Sequence, residues 1–118
     1  MDPARVPEGI PVEYLLEVYW RSARSGLARL RQLLEGLPES PNEAGLAEVR
    51  RLAHNLKGSS RQLGFDPLGR RAAAVEHRAD ALLRRAPAEG ISPAACRRLA
   101  RSVASLAECL EETAKETS

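Results

Sequence analysis

The chain has 118 residues, 43% of them hydrophobic, and a formal net charge of +2. That length suits one compact domain able to bury a core without metal or disulfide support, and leaves no expectation of a second. Lys and Arg are interspersed with Asp and Glu rather than gathered in one block, so bulk charge does not select nucleic acid as a partner.

Residues 1–10 are expected to form a flexible N-terminal tail and residues 11–118 the domain. Every long segment carries helical rather than alternating periodicity, which predicts an all-α fold. The first helical region spans residues 11–35, with Leu15, Val18, Tyr19, Leu27, Leu30 and Leu34 as candidate buried positions. Its polar stretch, residues 21–26, leaves a kink or a split open. Gly36, Pro38 and Pro41 punctuate the connection, and Asn42 reads as the N-cap of a second helix running to Gly64. Leu46, Val49, Ala53, Leu56, Ser60 and Leu63 form its inward seam. Ser60, on that seam, is expected to bond back to its own helix.

Asp66 and Pro67 read as N-cap and first residue of a third helix, which continues to about Arg85 through Leu68, Ala72, Val75, Ala79 and Leu82. The short link makes helices two and three an antiparallel pair. Pro87 and Gly90 are expected to close it, and Ser92 with Pro93 repeats the cap signal before a fourth helix. Leu99, Val103, Leu106 and Leu110 supply that helix's core stripe. Four helices with short loops predict an antiparallel up-and-down four-helix bundle. Its core is built from Leu, Ala and Val, because the aromatics are limited to Tyr14, Tyr19, Trp20 and Phe65.

The opening residues lack the apolar stretch of a signal peptide, and no segment approaches the roughly 20 apolar residues that span a bilayer. A cytoplasmic protein with no membrane association is expected. Cys96 and Cys109 fall on one helix, roughly 20 Å apart along its axis, too far to bond within one chain. No CxxC or Cys/His spacing marks a metal site, and no cofactor is expected.

The chemistry concentrates in AHNLKGSSRQLG, residues 53–64. Arg50, His54, Lys57, Gly58 and Arg61 share one side of the helix, while Val49, Ala53, Leu56, Ser60 and Leu63 turn away. His54 is thus expected at the surface among cations. Gly58, one turn beyond it, costs roughly 1 kcal/mol of helix stability relative to Ala and leaves the ring uncovered on that side. A free imidazole titrates near about 6.5 and is a good nucleophile when neutral.

This segment resembles the H-x-L-K-G-S-S-x-x-L-G motif of histidine phosphotransfer domains, the phosphocarriers of bacterial and fungal phosphorelays. The family's four-helix bundle, with the histidine on its second bundle helix, fits most of the remaining chain. The resemblance implies that His54 is the phosphoacceptor and that Lys57, Gly58 and Ser59 surround it. In the family a Gln or Glu on the neighbouring helix orients the imidazole, and the corresponding position is Glu76. A carboxylate there would accept the Nδ1 proton and favour attack through Nε2. His77, adjacent to it, is a second candidate for the same network. Lys57, with Arg61 or Arg50, would offset phosphoryl charge.

The function so implied is relay of a phosphoryl group between receiver-domain aspartates, from a hybrid sensor kinase to a response regulator, by a monomeric carrier. Mg2+ is expected on the receiver partner. No Gly-rich nucleotide loop accompanies the motif, so a kinase activity is not expected. Arg50, Arg51 and Arg61 would rim the docking surface, with Leu46 and Ala47 adding apolar contact. The alternative is a non-catalytic adaptor that binds a receiver or another signalling partner through the same helical face.

Overall fold

A computed structural model describes residues 9–117, and the tail expected over residues 1–10 lies, as far as residue 8, outside the described residues. Four helices follow one another: α1 (Val12–Gly36), α2 (Glu43–Gln62), α3 (Asp66–Glu89) and α4 (Pro93–Thr117). No strand is present among the described residues. Short links at 37–42, 63–65 and 90–92 reverse the chain each time, giving an antiparallel bundle with extents of 51 × 26 × 19 Å.

The core follows the apolar periodicity. Leu27, Leu30 and Leu34 of α1, Leu46, Val49 and Ala53 of α2, Leu68, Ala72 and Val75 of α3, and Leu99, Val103 and Leu106 of α4 are all buried. Asn42 caps α2, its side chain accepting a hydrogen bond from the Gly45 N–H at 2.6 Å. Ser92 caps α4 by accepting from the Ala95 N–H at 3.3 Å.

Several boundaries and burials differ from the sequence expectation. The first region is one uninterrupted helix, because Ala23 and Leu27 carry its buried stripe straight through the polar stretch. Leu15 and Val18 are not buried: Tyr19 stands opposite Ser60, close to where α2 ends, so the turns before it project beyond that helix. Helix α3 starts one residue early, with Phe65 at the N-cap, and runs through Pro87 to Glu89. Proline fits helical φ, and this close to the terminus it removes a single ladder bond. Gly90, at φ +73°, ends the helix, its N–H donating to the Ala86 carbonyl.

One polar pair lies inside the bundle. Tyr19 and Ser60 share a buried hydroxyl–hydroxyl bond of 2.7 Å joining α1 to α2. Ser60 therefore reaches across to α1 instead of back to its own helix. Burial pushes the Tyr19 phenol above its ordinary pKa, against the lowering effect of the Ser60 bond. Tyr19 also packs edge-on to Trp20 and tilted on Phe65, with centroids at 4.8 and 5.3 Å, tying α1 to the α2–α3 link.

Replacing Tyr19 by Phe strands the Ser60 hydroxyl and is expected to cost about 1–2 kcal/mol, measured by urea unfolding. Ser60→Ala should cost a similar amount. The double variant should lose less than the two single losses added together, because neither group then remains buried without a partner.

Candidate functional site

The three-residue link between α2 and α3 is closed by backbone bonds from Gly64 N–H to the Arg61 carbonyl and from Phe65 N–H to the Ser60 carbonyl, with Gly64 at φ +82°. That conformation favours glycine. It lays α3 back along α2, so that Gly69 passes directly beneath the Arg61 stem; a Cβ on Gly69 would come within 2.9 Å of Arg61 Cγ.

Further along the pair, three side chains from the sequence motif and its neighbouring helix meet. His54 Nδ1 lies 2.5 Å from Glu76 Oε2, and Lys57 Nζ donates to Glu76 Oε1 at 2.5 Å. The carboxylate is acceptor-only when ionised, so its contact assigns the proton to Nδ1 of the neutral ring. Nε2 then carries the free lone pair on an imidazole that is 63% exposed. Lys57 and Glu76 are only 22% and 20% exposed, so their ion pair forms a half-buried base under an open ring.

Burial alone would raise the Glu76 pKa, but the hydrogen bonds from Lys57 and His54 and their charges outweigh it, holding the carboxyl below its ordinary value. Glu76 is the residue of α3 that meets His54. His77 is exposed, one position round the helix, and makes no bond to either.

The remaining sequence candidates are dispersed. Gly58 is exposed, and a Cβ built there meets nothing within 4 Å, so the glycine is not required for packing inside this chain. Ser59 donates to the Asn55 and Leu56 carbonyls and lines the α1–α2 groove, away from the His54 network. Arg50 donates to Asp80 at 3.1 Å, and Arg51 pairs with Glu48 at 3.6 Å. Leu46 is fully buried and offers no surface for docking, while Ala47 is half-buried.

Asp80 is a further member of this face, outside the motif and its expected neighbours. It lies one turn beyond Glu76 on the same face of α3 and bridges Arg50 of α2 to Arg84 at 3.1 and 2.9 Å. The signal was available as matched spacing: Arg50 and His54 on α2, Glu76 and Asp80 on α3, each pair four residues apart. The site as a whole is an open helical face, flanked by a depression of about 380 Å3 lined by Arg50, Ala73, Glu76, His77 and Asp80. Such a face suits a protein surface better than an enclosed small ligand. Among the described residues no group of acidic, His or Cys side chains is placed to hold a metal ion, and no helix is long and apolar enough to cross a membrane.

Because folding lowers the Glu76 pKa, its contribution to stability is complete above the unfolded value of about 4.3 and is lost as pH falls through the folded value. The stability difference between the parent protein and Glu76→Gln should therefore be largest near neutrality and shrink as pH drops below about 4. Urea titrations of both proteins across that range measure it.

No curated protein and no solved structure matches the chain significantly. A family model does: residues 14–116 match the one described as the Hpt domain, a span that takes in all of α2 and α3 and most of α1 and α4. With nearly its whole length covered, the four-helix chain belongs to the Hpt, or histidine phosphotransfer, family.

Proposed function

We infer from membership of the Hpt family that the protein has a phosphotransfer role in a phosphorelay, as a carrier rather than a kinase, and that it interacts with receiver domains. We propose that His54 is the residue phosphorylated and that the protein relays phosphate between the receiver of a hybrid sensor kinase and that of a response regulator. The observation that carries this reading is the imidazole itself, gripped at Nδ1 by Glu76 and open at Nε2.

The chemistry needs no base within this chain. The Nε2 lone pair attacks phosphorus of a receiver's aspartyl phosphate in line. A P–N bond forms, the P–O bond breaks, and the aspartate leaves with the bonding pair as a carboxylate. The ring keeps its Nδ1 proton and becomes cationic, and Glu76, already ionised, stabilises that charge. Lys57 acts first on Glu76, holding its second oxygen and keeping it an acceptor. Mg2+ belongs to the receiver in this scheme, and the carrier acts as a monomer.

Incubation with a receiver domain carrying radiolabelled phosphate should transfer label to an acid-labile, alkali-stable site, and His54→Gln should abolish it. Persistence of labelling in that variant would remove His54 from the role. Glu76→Gln should retain transfer but slow it about 10- to 100-fold, the equivalent of one charge-assisted hydrogen bond.

Gly58 separates the partner's needs from the fold's. Since a Cβ there meets nothing, Gly58→Ala should raise stability by about 0.5–1 kcal/mol through helix propensity. Gly58→Leu should fold equally well yet slow transfer from the receiver, because the added side chain stands one turn from the imidazole where the second protein must approach. Thermal unfolding and transfer kinetics on the same samples report the two effects.

A further inference from the structure

The cations of this chain, interspersed along the sequence, are sorted by the fold. Between residues 67 and 107 there are eight arginines and three acidic residues, Glu76, Asp80 and Glu89. Glu76 is committed to His54 and Lys57, and Asp80 to Arg50 and Arg84. On the other flank of α3, where it meets α4, a groove of about 190 Å3 is lined by Arg78 and Arg85 from α3 and Arg98 from α4. No carboxylate lines it, and none of the three guanidinium groups has an ion-pair or hydrogen-bond partner among the described residues.

We propose that this α3–α4 groove is a docking site for an acidic helical segment of a partner protein, separate from the His54 face. Arg78 and Arg85 are seven residues apart, hence two helical turns and about 10.5 Å along α3. Carboxylates at the same spacing on a partner helix repeat with the same pitch and fall opposite them. Arg98 faces them from the other wall, and Ala81 and Ala95 keep the groove free of bulky side chains between the cations. A groove of this volume admits side chains rather than a whole helix, so the partner lies on top and inserts its carboxylates. Guanidinium forks match carboxylates two bonds at a time.

Two other anionic partners fit less well. Single-stranded nucleic acid is held largely by stacking on aromatic rings, and no Phe, Tyr or Trp lines this groove, its single ring being the His77 imidazole; Tyr19, Trp20 and Phe65 cluster by the α2–α3 link. A lipid surface would need exposed apolar side chains to insert. The exposed large hydrophobics are Val12, Tyr14 and Val18 of α1, while Leu99 in the groove is sunk to 1% exposure.

The test uses the full chain and a fluorescein-labelled peptide of Ala, Leu and Glu with glutamates at seven-residue spacing along one helical face. Comparison probes are a peptide of identical composition with the glutamates scattered round the helix, an oligothymidylate, and phosphatidylserine-containing vesicles. The aligned peptide should bind most tightly. The reversal Arg78→Glu/Arg85→Glu/Arg98→Glu should weaken it about tenfold or more, with helical content by circular dichroism unchanged. Reversal of Arg21, Arg24 and Arg31 on α1 should leave it nearly intact. If the triple reversal perturbs folding, Arg78→Gln/Arg98→Gln carries the same comparison. Equal affinity for the two peptides, preference for the oligonucleotide or vesicles, absence of binding, or equal loss in the α1 control would each overturn the proposal.

Discussion

The site depends on the register of α3 against α2, set by the link at residues 63–65. Phe65 is the centre of that register: Arg61 and Gly69 stand four residues either side of it, His54 and Glu76 eleven, Arg50 and Asp80 fifteen. Each of these pairs is in contact. An antiparallel hairpin produces such mirror pairing only while its turn keeps its length, because one inserted residue rotates everything beyond it by about 100°. The positive φ of Gly64 and the packing of Phe65 on Tyr19 and Trp20 hold the turn. The buried Tyr19–Ser60 bond fastens the same end of the bundle from α1.

Within that frame Glu76 serves two neighbours with its two oxygens. A half-buried carboxylate beside one cation alone would be an ordinary inter-helix ion pair. With His54 on the second oxygen, the pair also fixes which ring nitrogen is protonated and which way the other faces. The helix supplies rigidity on both sides of the contact, so the imidazole is oriented by elements packed into the core through Ala53 and Val75. The open, solvent-facing geometry follows from the same arrangement: a bundle surface presents its side chains outward, and the depression beside Glu76 is shallow ground between two helices, not an enclosed cavity.

Local signals carried much of this. The Asn42 and Ser92 caps, the apolar seams and the histidine motif are written in nearest-neighbour and one-turn spacings, which is why the four helices and the exposure of His54 could be read directly. The errors lie where distant parts of the chain compete with local preference. A polar stretch in α1 did not break the helix because Ala23 and Leu27 were packed, and Pro87 did not stop α3 because only one bond was at stake. Leu46, apolar and near the motif, was available to a partner only on paper; the bundle had already buried it. Ser59 and Ser60, adjacent in sequence, were sent to opposite tasks by a rotation of one helical position.

The sequence by itself determined the fold class, the histidine motif and the exposure of His54, since each rests on periodicity or spacing along individual helices. It even identified Glu76, through the resemblance. What only the tertiary structure decided was the company each charge keeps. Lys57 could not be known to hold Glu76, nor Asp80 to bridge Arg50 and Arg84, until α3 was laid along α2. The evenly mixed charges of the linear chain likewise became two unlike flanks of α3, one with its acids neutralised and one with its arginines unanswered. Charge pairing acts across space over a few ångströms, and residues 19 or 30 positions apart reach that distance only when helices pack.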